Sequence, residues 1–509
     1  MVGEEALNNR NTNNYYKRRR KNNNSEKSNS MLEHSKFASA SANFKGSSGG
    51  NNGARGMSES RLKTMLQDPA KSAVQVAGLS SSMKQVNGMY KRIIKYMSSL
   101  LTFDHVLYPV LTNPMKIKSS DIKKTQESFI QTAIFLDRLN PKYNLPIFTE
   151  KLFTTGVTYQ YKLEDSKGVV YQDIPTAFCR VGYEEDGVYR FQFDVTKISD
   201  ANFEVFPKEL QNAYTSYKNG QTEKLIDGRW YQVSDKGVAF TIDTDVLANG
   251  GMALPPIANA LIDAIKIENA KDKMEDTDKL DNSKIVHSKI ETDDKGRPLM
   301  ELPVVHEYHN ALKKSLPEGS VAITNPFDTR GITLNGTGKD GKFSLLDKTS
   351  EQLYKGAGVS PQLFADDNSS SQALERSIQV DCQWLYSFLL PMFTNYYNYE
   401  LRKASKKTVI WKVKFLNISH FDRDEAIKTA KDQLSFGGSR MEYLAYCGMT
   451  PLEFATMLVF EQQILTIDDL MIAKQTSHTM SGNEAQEKEK GRPQSEKPTD
   501  TTVRIKDAE

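Results

Sequence analysis

Between Gln372 and Ala404 the chain carries apolar residues at helical spacing over a run with a single proline, Pro391. Leu374, Ile378, Leu385, Phe388, Leu389, Met392, Phe393 and Tyr396 fall mostly three or four apart, which makes one broad apolar face. The pattern resumes after Pro391, so this proline predicts a kink in one long helix and not its end. Ahead of the run, Gly356, Gly358 and Pro361 in Leu353-Tyr-Lys-Gly-Ala-Gly-Val-Ser-Pro-Gln-Leu-Phe364 stop any preceding helix. The loop Ala365 to Ser371 is acidic and serine-rich; with nothing to bury, it belongs at a surface or along a cavity. A loop held between two helices is a natural moving part. On composition alone the plain reading is a core helix behind a surface loop.

A chain of 509 residues exceeds one ordinary core, so two or more domains are expected. Its 67 basic and 64 acidic side chains nearly balance, so any nucleic-acid contact must be local. Cys179, Cys382 and Cys447 are far apart, which supports neither a disulfide framework nor a four-ligand zinc site and fits a reducing compartment. His306 and His309 form the one close histidine pair, without further ligands nearby, and read as exposed helix residues. No metal or cofactor is expected. No run approaches the length of a membrane span and the amino terminus lacks a signal-peptide core, so neither secretion by that route nor a spanning segment is expected.

Residues 1–60 are rich in Asn, Ser and Gly around the basic run Lys17-Arg-Arg-Arg-Lys21, and read as a disordered arm. Helical stripes follow over Ser58 to Leu101 and Ile122 to Asn140, with another short helix expected from near Ile147. From Gly156 to Phe240 the period drops to two, giving a mostly antiparallel β region with a helix inserted near Pro207 to Tyr217. Within it, Ile174-Pro-Thr-Ala-Phe-Cys-Arg-Val and Asp186-Gly-Val-Tyr-Arg-Phe-Gln-Phe-Asp194 read as a hairpin. Pro255-Pro256 then open an uninterrupted helix, Ile257 to about Leu280, roughly 36 Å long, apolar in its first half and polar in its second. Asp281 to Lys342 is a compact excursion with a strand near Lys284 to Ile290, a helix near Val304 to Leu316, and a strand pair Val321 to Ile323 with Ile332 to Leu334. A helix from Ser344 to Lys355 closes it, so the excursion reads as a small insertion domain on a stalk. Thr408 to Ile418 alternates and is expected to return to the β region; short helices follow from Arg423 to about Lys474, and the last 30 or so residues read as disordered.

Three of these stretches together resemble the portal proteins of tailed bacteriophages, particularly of phages infecting Gram-positive hosts. The Ile174 to Asp194 hairpin is similar to a phrase of that family's wing. Gly356 to Phe364 resembles its Gly-Val-Pro-Pro-x-Leu-Leu phrase, with Ser360 where a proline is common and Glu375 near the following helix start. Asp422 to Glu461, with Ser439, Tyr443-Leu444, Gly448 and Pro451, is similar to the family's closing helices. The resemblance covers about residues 60 to 475.

It implies an α+β portal-type fold: a mixed α/β wing (61–254, returning at 405–436), a two-helix stem (255–280 and 343–357), and a small α/β clip (281–342). A tunnel loop region (358–371), a kinked tunnel helix (372–404) bending at Pro391 and a helical crown (437–475) complete it, with disordered ends at 1–60 and 476–509. It implies further a non-enzymatic, dodecameric ring at one capsid vertex of the virion, assembled in the host cytoplasm. Through its channel double-stranded DNA is packaged and ejected. The large terminase subunit and then a head-to-tail adaptor would dock on the clip, and major capsid and scaffolding proteins are further partners. Asp366, Asp367, Asn368, Ser369, Ser370 and Ser371 would line the channel. Asp263, Lys266, Glu268, Lys271, Lys273 and Glu275 would pair between neighbouring stems. Two carboxylates and no base in the loop repel phosphate and favour sliding over adhesion; equally, acidic and serine residues there cap the helix that follows.

Two other classes compete. Gly336-Thr-Gly-Lys-Asp-Gly-Lys342-Phe343 nearly spells a phosphate-binding loop, but Phe343 stands where Ser or Thr must hold magnesium, and the phrase reads as a clip turn. A nucleic-acid-binding protein acting through the basic arm would bind duplex in a salt-sensitive manner and form no ring.

Overall fold

The computed structural model describes residues 57–110, 119–165, 168–282, 285–295, 297–316, 321–325, 339–364, 371–404 and 409–465. Most of the basic arm and the polar carboxyl-terminal stretch lie outside them. The chain opens with helices α1 (Glu59–Gln67), α2 (Pro69–Val86) and α3 (Gly88–Ser99). Ser58 and Asn87 start α1 and α3 by accepting the N–H groups of Arg61 and Tyr90, and Pro69 opens α2 where a backbone N–H would have no helical partner. Strand β1 (His105–Val110) and helices α4 (Ser119–Leu139) and α5 (Pro141–Thr155) follow. Asn140 takes a left-handed φ of 44° and turns the chain directly into α5. That helix therefore begins at Pro141 and not near Ile147. Pro146 sits inside it, in the second turn, and forfeits one regular bond, to the Lys142 carbonyl, after Asn144 has donated to Asn140 at 3.0 Å.

Strands β2 (Thr158–Glu164), β3 (Val169–Ile174), β4 (Cys179–Glu185), β5 (Val188–Asp194), β6 (Leu225–Ile226), β7 (Trp230–Gln232) and β8 (Gly237–Phe240) form one sheet. Its order is β3-β2-β8-β5-β7-β6, with β4 paired to β5, and its pairings are antiparallel. Asp186 and Gly187, at φ 54° and 75°, make the tight turn between β4 and β5 that the alternating pattern predicts. Helix α6 (Lys208–Lys218) places Leu210, Ala213 and Tyr214 in a core with Tyr159, Phe191, Phe193 and Phe206. A second, larger core joins α1 to α5 with the helices described next.

Residues 257–262 are linked by bonds three residues apart before α7 (Ala260–Asn282) becomes regular, so this helix starts later than Ile257. Leu261, Ala264, Ile265 and Ile267 are buried, whereas Lys271, Asp272 and Lys273 are exposed, as its two-part composition requires. Strand β9 (Ile285–Lys289), helix α8 (Leu302–Ser315) and strand β10 (Val321–Asn325) make a β-α-β unit. Here β10 pairs with β9 in parallel; its expected partner Ile332 to Leu334 lies outside the described residues. An intervening helix brings the chain back in the same direction, which a tight turn cannot do.

Helix α9 (Lys339–Gly356) starts ahead of Ser344, so Lys339 to Phe343 winds as its first turn and not as a loop. Helix α10 (Ser371–Ala404) runs unbroken through Pro391. Strand β11 (Ile410–Phe415) pairs with β1 in a separate two-stranded sheet, Leu107 opposite Val413, and does not rejoin the large sheet as its alternation led us to expect. Helices α11 (Arg423–Ser435), α12 (Arg440–Tyr446) and α13 (Pro451–Val459) follow, broken at Gly437 and Gly448, both with positive φ. A π-helical turn, Phe460–Ile464, continues α13. The chain divides into two compact units, Met1–Leu452 and Glu453–Glu509.

Candidate functional site

The segment that ends α9 is built for an abrupt change of direction. Gly358, at φ 76°, donates its N–H to the Lys355 carbonyl at 3.1 Å, and Val359 donates to Tyr354 at 3.0 Å, which closes the helix in a left-handed cap. Pro361–Leu363 adds one short turn and delivers Phe364. The Phe364 ring stacks on Tyr354 at 4.8 Å between centroids and meets Tyr96 edge-on at 5.6 Å, with the Arg92 guanidinium 5.0 Å from its centre. Three side chains from α3 and α9 thus clamp the residue that precedes the acidic loop.

Helix α3 also reaches α10. Asp381, ten residues beyond Ser371 in α10, is buried, and the Tyr96 hydroxyl donates to it at 2.9 Å. Burial pushes the Asp381 carboxyl above the usual carboxylate range, and burial together with the Asp381 charge pushes the Tyr96 phenol up. Tyr96 therefore ties Phe364, just before the loop, to α10 beyond it. The sequence reading missed it, because Tyr96 stands off the apolar stripe of α3; a lone carboxylate inside the Ile378 to Phe393 run was the available signal.

Asp366, Asp367, Asn368, Ser369 and Ser370 lie outside the described residues, and Ser371 is the first residue of α10. Pro391 is exposed in mid-helix, so the Ser387 carbonyl that loses its helical donor there lies on a part of α10 that water reaches. Beyond Pro391 the helix is bolted to the large sheet. A Cβ built on Gly187 falls 2.3 Å from the Asn395 amide, so only glycine lets the hairpin turn seat against α10. Arg402 pairs with Asp186, Lys403 with Asp235 at 2.5 Å, and the Tyr399 hydroxyl donates to Glu185 at 3.3 Å. The Tyr399 ring has the Arg190, Lys403 and Arg402 cationic groups at 4.4, 5.1 and 5.4 Å. Lys162 and Glu400 form a buried ion pair between β2 and α10.

The proposed stem residues do two things. Gly356 of α9 packs so close to α7 that an added Cβ would sit 3.0 Å from the Asp263 carboxylate, so the end of one helix lies on the start of the other. Asp263 pairs with Lys266 at 3.0 Å, Glu268 accepts from Asn87 at 2.9 Å and pairs with Lys271 at 2.8 Å, all within the chain. Lys273 and Glu275 lie farther along, on the exposed part of α7. His306 is exposed on α8, and His309 Nδ1 lies 3.0 Å from the Thr324 hydroxyl. Among the described residues no cluster of three or more His, Cys, Asp or Glu is arranged to hold a metal ion.

No family model matches this sequence, and no curated protein matches it. The structure is similar to a chain of the virion of a native gene transfer agent particle, at 12% identity and TM-score 0.37, over 70% of this chain and 87% of that one. It is also similar to a chain of the neck of an empty gene transfer agent particle, at 11% identity and TM-score 0.36, over 69% and 90%. A third similar structure is an HK97-family phage portal protein from Corynebacterium diphtheriae, at 10% identity and TM-score 0.29, covering 66% of this chain and 94% of that one.

Proposed function

We propose that this chain is a portal protein that forms a ring at one capsid vertex and conducts double-stranded DNA through its axis. The observation that carries the reading is the α7–α9 pair: two helices that leave and re-enter one core at Asp263 and Gly356 and hold a β-α-β unit between them. Directly after the second helix comes a clamp, an acidic loop and a long helix tied to the sheet. Of the portal-like phrases in the sequence, Gly356 to Phe364 falls on this clamp, between the hairpin Ile174 to Asp194 and the closing helices Asp422 to Glu461.

In this reading α7 and α9 are the stem and residues 283–338, between them, the clip, which receives the terminase large subunit during packaging and a head-to-tail adaptor afterwards. The exposed half of α7, with Lys271, Lys273 and Glu275, faces a neighbouring stem, while Asp263, Lys266 and Glu268 set its root within the protomer. The loop carrying Asp366 and Asp367 lines the channel. Its carboxylates repel phosphate, so the duplex passes without the counterion-releasing contacts that Lys or Arg would make. Tyr96 sets where the loop emerges, and α10 transmits its position across Pro391 to the sheet. The chain performs no hydrolysis.

Negative-stain microscopy of the purified full-length protein tests the reading. Annular oligomers with a central channel are expected, and they persist when residues 1–56 are deleted. A monomer, or salt-sensitive duplex binding that vanishes with the basic arm, supports the nucleic-acid-binding alternative instead.

A further inference from the structure

Helices α11 and α12 are joined to the rest of their compact unit, the body, mainly through polar contacts. Of the residues in α11 only Ala430 is buried, and of those in α12 only Ala445. The apolar cluster beneath them is small, Val106, Leu416, Ile418 and Ala445, and is separate from the two large cores. A cleft of about 270 Å³ lies along α11 beside Tyr446, bordered by Asp422, Glu425, Ala426, Ala430 and Gln433, so the seat of this helix is incompletely filled. Segments with few buried apolar contacts open at a lower free energy than the core they rest on.

One buried carboxylate fastens both helices. Asp104, just ahead of β1, has a side chain only 1% exposed; it pairs with Lys142 of α5 at 2.5 Å and with Arg423, the first residue of α11, at 3.3 Å. Lys142 also donates to the Gly448 carbonyl at 2.6 Å, so the start of α11 and the chain leaving α12 meet at the same point. The body fixes where Asp104 stands. Phe103 before it is buried against Phe393 at a left-handed φ of 54°, and the Asp104 carbonyl accepts the Leu416 N–H at 2.8 Å. Of the other ties, Lys414 to Glu442 at 2.7 Å is a half-exposed ion pair, and Tyr386 donates to Asp422 at 3.1 Å.

The placing of the two cations makes the Asp104 contact releasable. A buried carboxylate left without a partner is strongly unfavourable, which would fasten α11 for good if Arg423 were the whole of its compensation. Lys142 belongs to the body and stays with Asp104 when α11 leaves, while the Arg423 side chain, already 30% exposed, passes to water. The two helices also have a pivot at each end. His420, shortly before α11, still donates its N–H to Leu100 of the body at 3.0 Å, and Gly448 after α12 takes a φ of 96° that favours glycine.

We propose that α11 and α12 form a lobe that opens as one unit from an intact body, with the Asp104–Arg423 contact as its latch. The inference rests on contacts within one protomer and not on the ring reading.

Native-state hydrogen exchange of the full-length protein in low urea, followed by mass spectrometry, tests it. Amides of α11 and α12 are expected to share one opening reaction, at least about tenfold more populated than the opening of β2 to β8, with a urea slope well below that of global unfolding. Asp104→Asn is expected to speed exchange in both helices about tenfold further and to leave β2 to β8 unchanged; Arg423→Gln, at a partly exposed position, does the same without altering the buried carboxylate. Exchange of α11 and α12 at the rate of the sheet in the wild type overturns the inference. Equal acceleration of lobe and sheet in Arg423→Gln overturns it too, since lobe and body would then be one cooperative unit, and so does a fast-exchanging lobe that neither variant alters, since the latch would lie elsewhere. Light scattering on the same samples reports the assembly state, so a protein that forms no ring and still opens this lobe separately removes the ring reading and supports the latch.

Discussion

The Tyr96 hydroxyl donates a 2.9 Å hydrogen bond to the buried carboxylate of Asp381 while the same ring meets Phe364 edge-on, so one side chain of α3 ties the residue before the acidic loop to the helix that follows it. The loop itself has little with which to order its roots. Its emergence is set by neighbours distant in sequence, and changes at Tyr96 should be felt there first.

Tyr96→Phe leaves the Asp381 carboxylate buried without this donor, and a loss of about 1–3 kcal/mol in unfolding free energy is expected at neutral pH. Chemical denaturation of the variant measures it. Asp381→Asn in the Tyr96→Phe background should recover part of the loss, because the uncompensated charge is gone; a cycle in which the two changes simply add would mean that the bond contributes nothing.

Asp381 also sets a pH dependence. Its folded pKa lies above the ordinary 3.8, so the folded protein holds this proton more tightly than the unfolded chain does. The contribution is fully present below 3.8, declines as pH rises toward the folded value, and is flat above it. Asp381→Asn should therefore flatten the stability–pH curve in the interval just above pH 4, measured as melting temperature from pH 3.5 to 7 against wild type.

Gly187→Ala places a Cβ against Asn395 at a positive φ, and destabilisation of about 1–3 kcal/mol is expected. Combining it with Asn395→Ala removes the clash but not the backbone strain, so thermal unfolding should show partial recovery. Full recovery would assign the whole effect to the clash.

The buried Lys162–Glu400 pair ties α10 to β2. Lys162→Met alone is expected to cost about 3–5 kcal/mol by stranding the Glu400 carboxylate, whereas Lys162→Met with Glu400→Leu should lie much nearer wild type. Equal losses in the single and double variants, read by denaturant titration, would contradict this account.

Asp366→Asn with Asp367→Asn should leave ring formation intact and slow DNA passage in a packaging assay, and lysines at both positions should slow it further with a marked salt dependence. Unchanged packaging and DNA retention in the Asn pair would reduce the two carboxylates to caps of α10.

Local patterns were legible in the sequence: the helical stripes of α3 and α4, the Asp186-Gly187 hairpin, the half-apolar α7, and α10 running on past Pro391. Each follows from side-chain period and turn chemistry within some tens of residues, which is where such signals reside. Tertiary structure decided what distant segments meet. β11 chose β1 and not the large sheet, β10 chose β9 in parallel, and Tyr96 came to brace Phe364 and Asp381. Alternation shows that a strand has a buried face without saying which edge it joins, and a tyrosine off the apolar stripe has no partner until the chain has folded around it. Those choices depend on the packing of whole elements against one another, which no local period encodes.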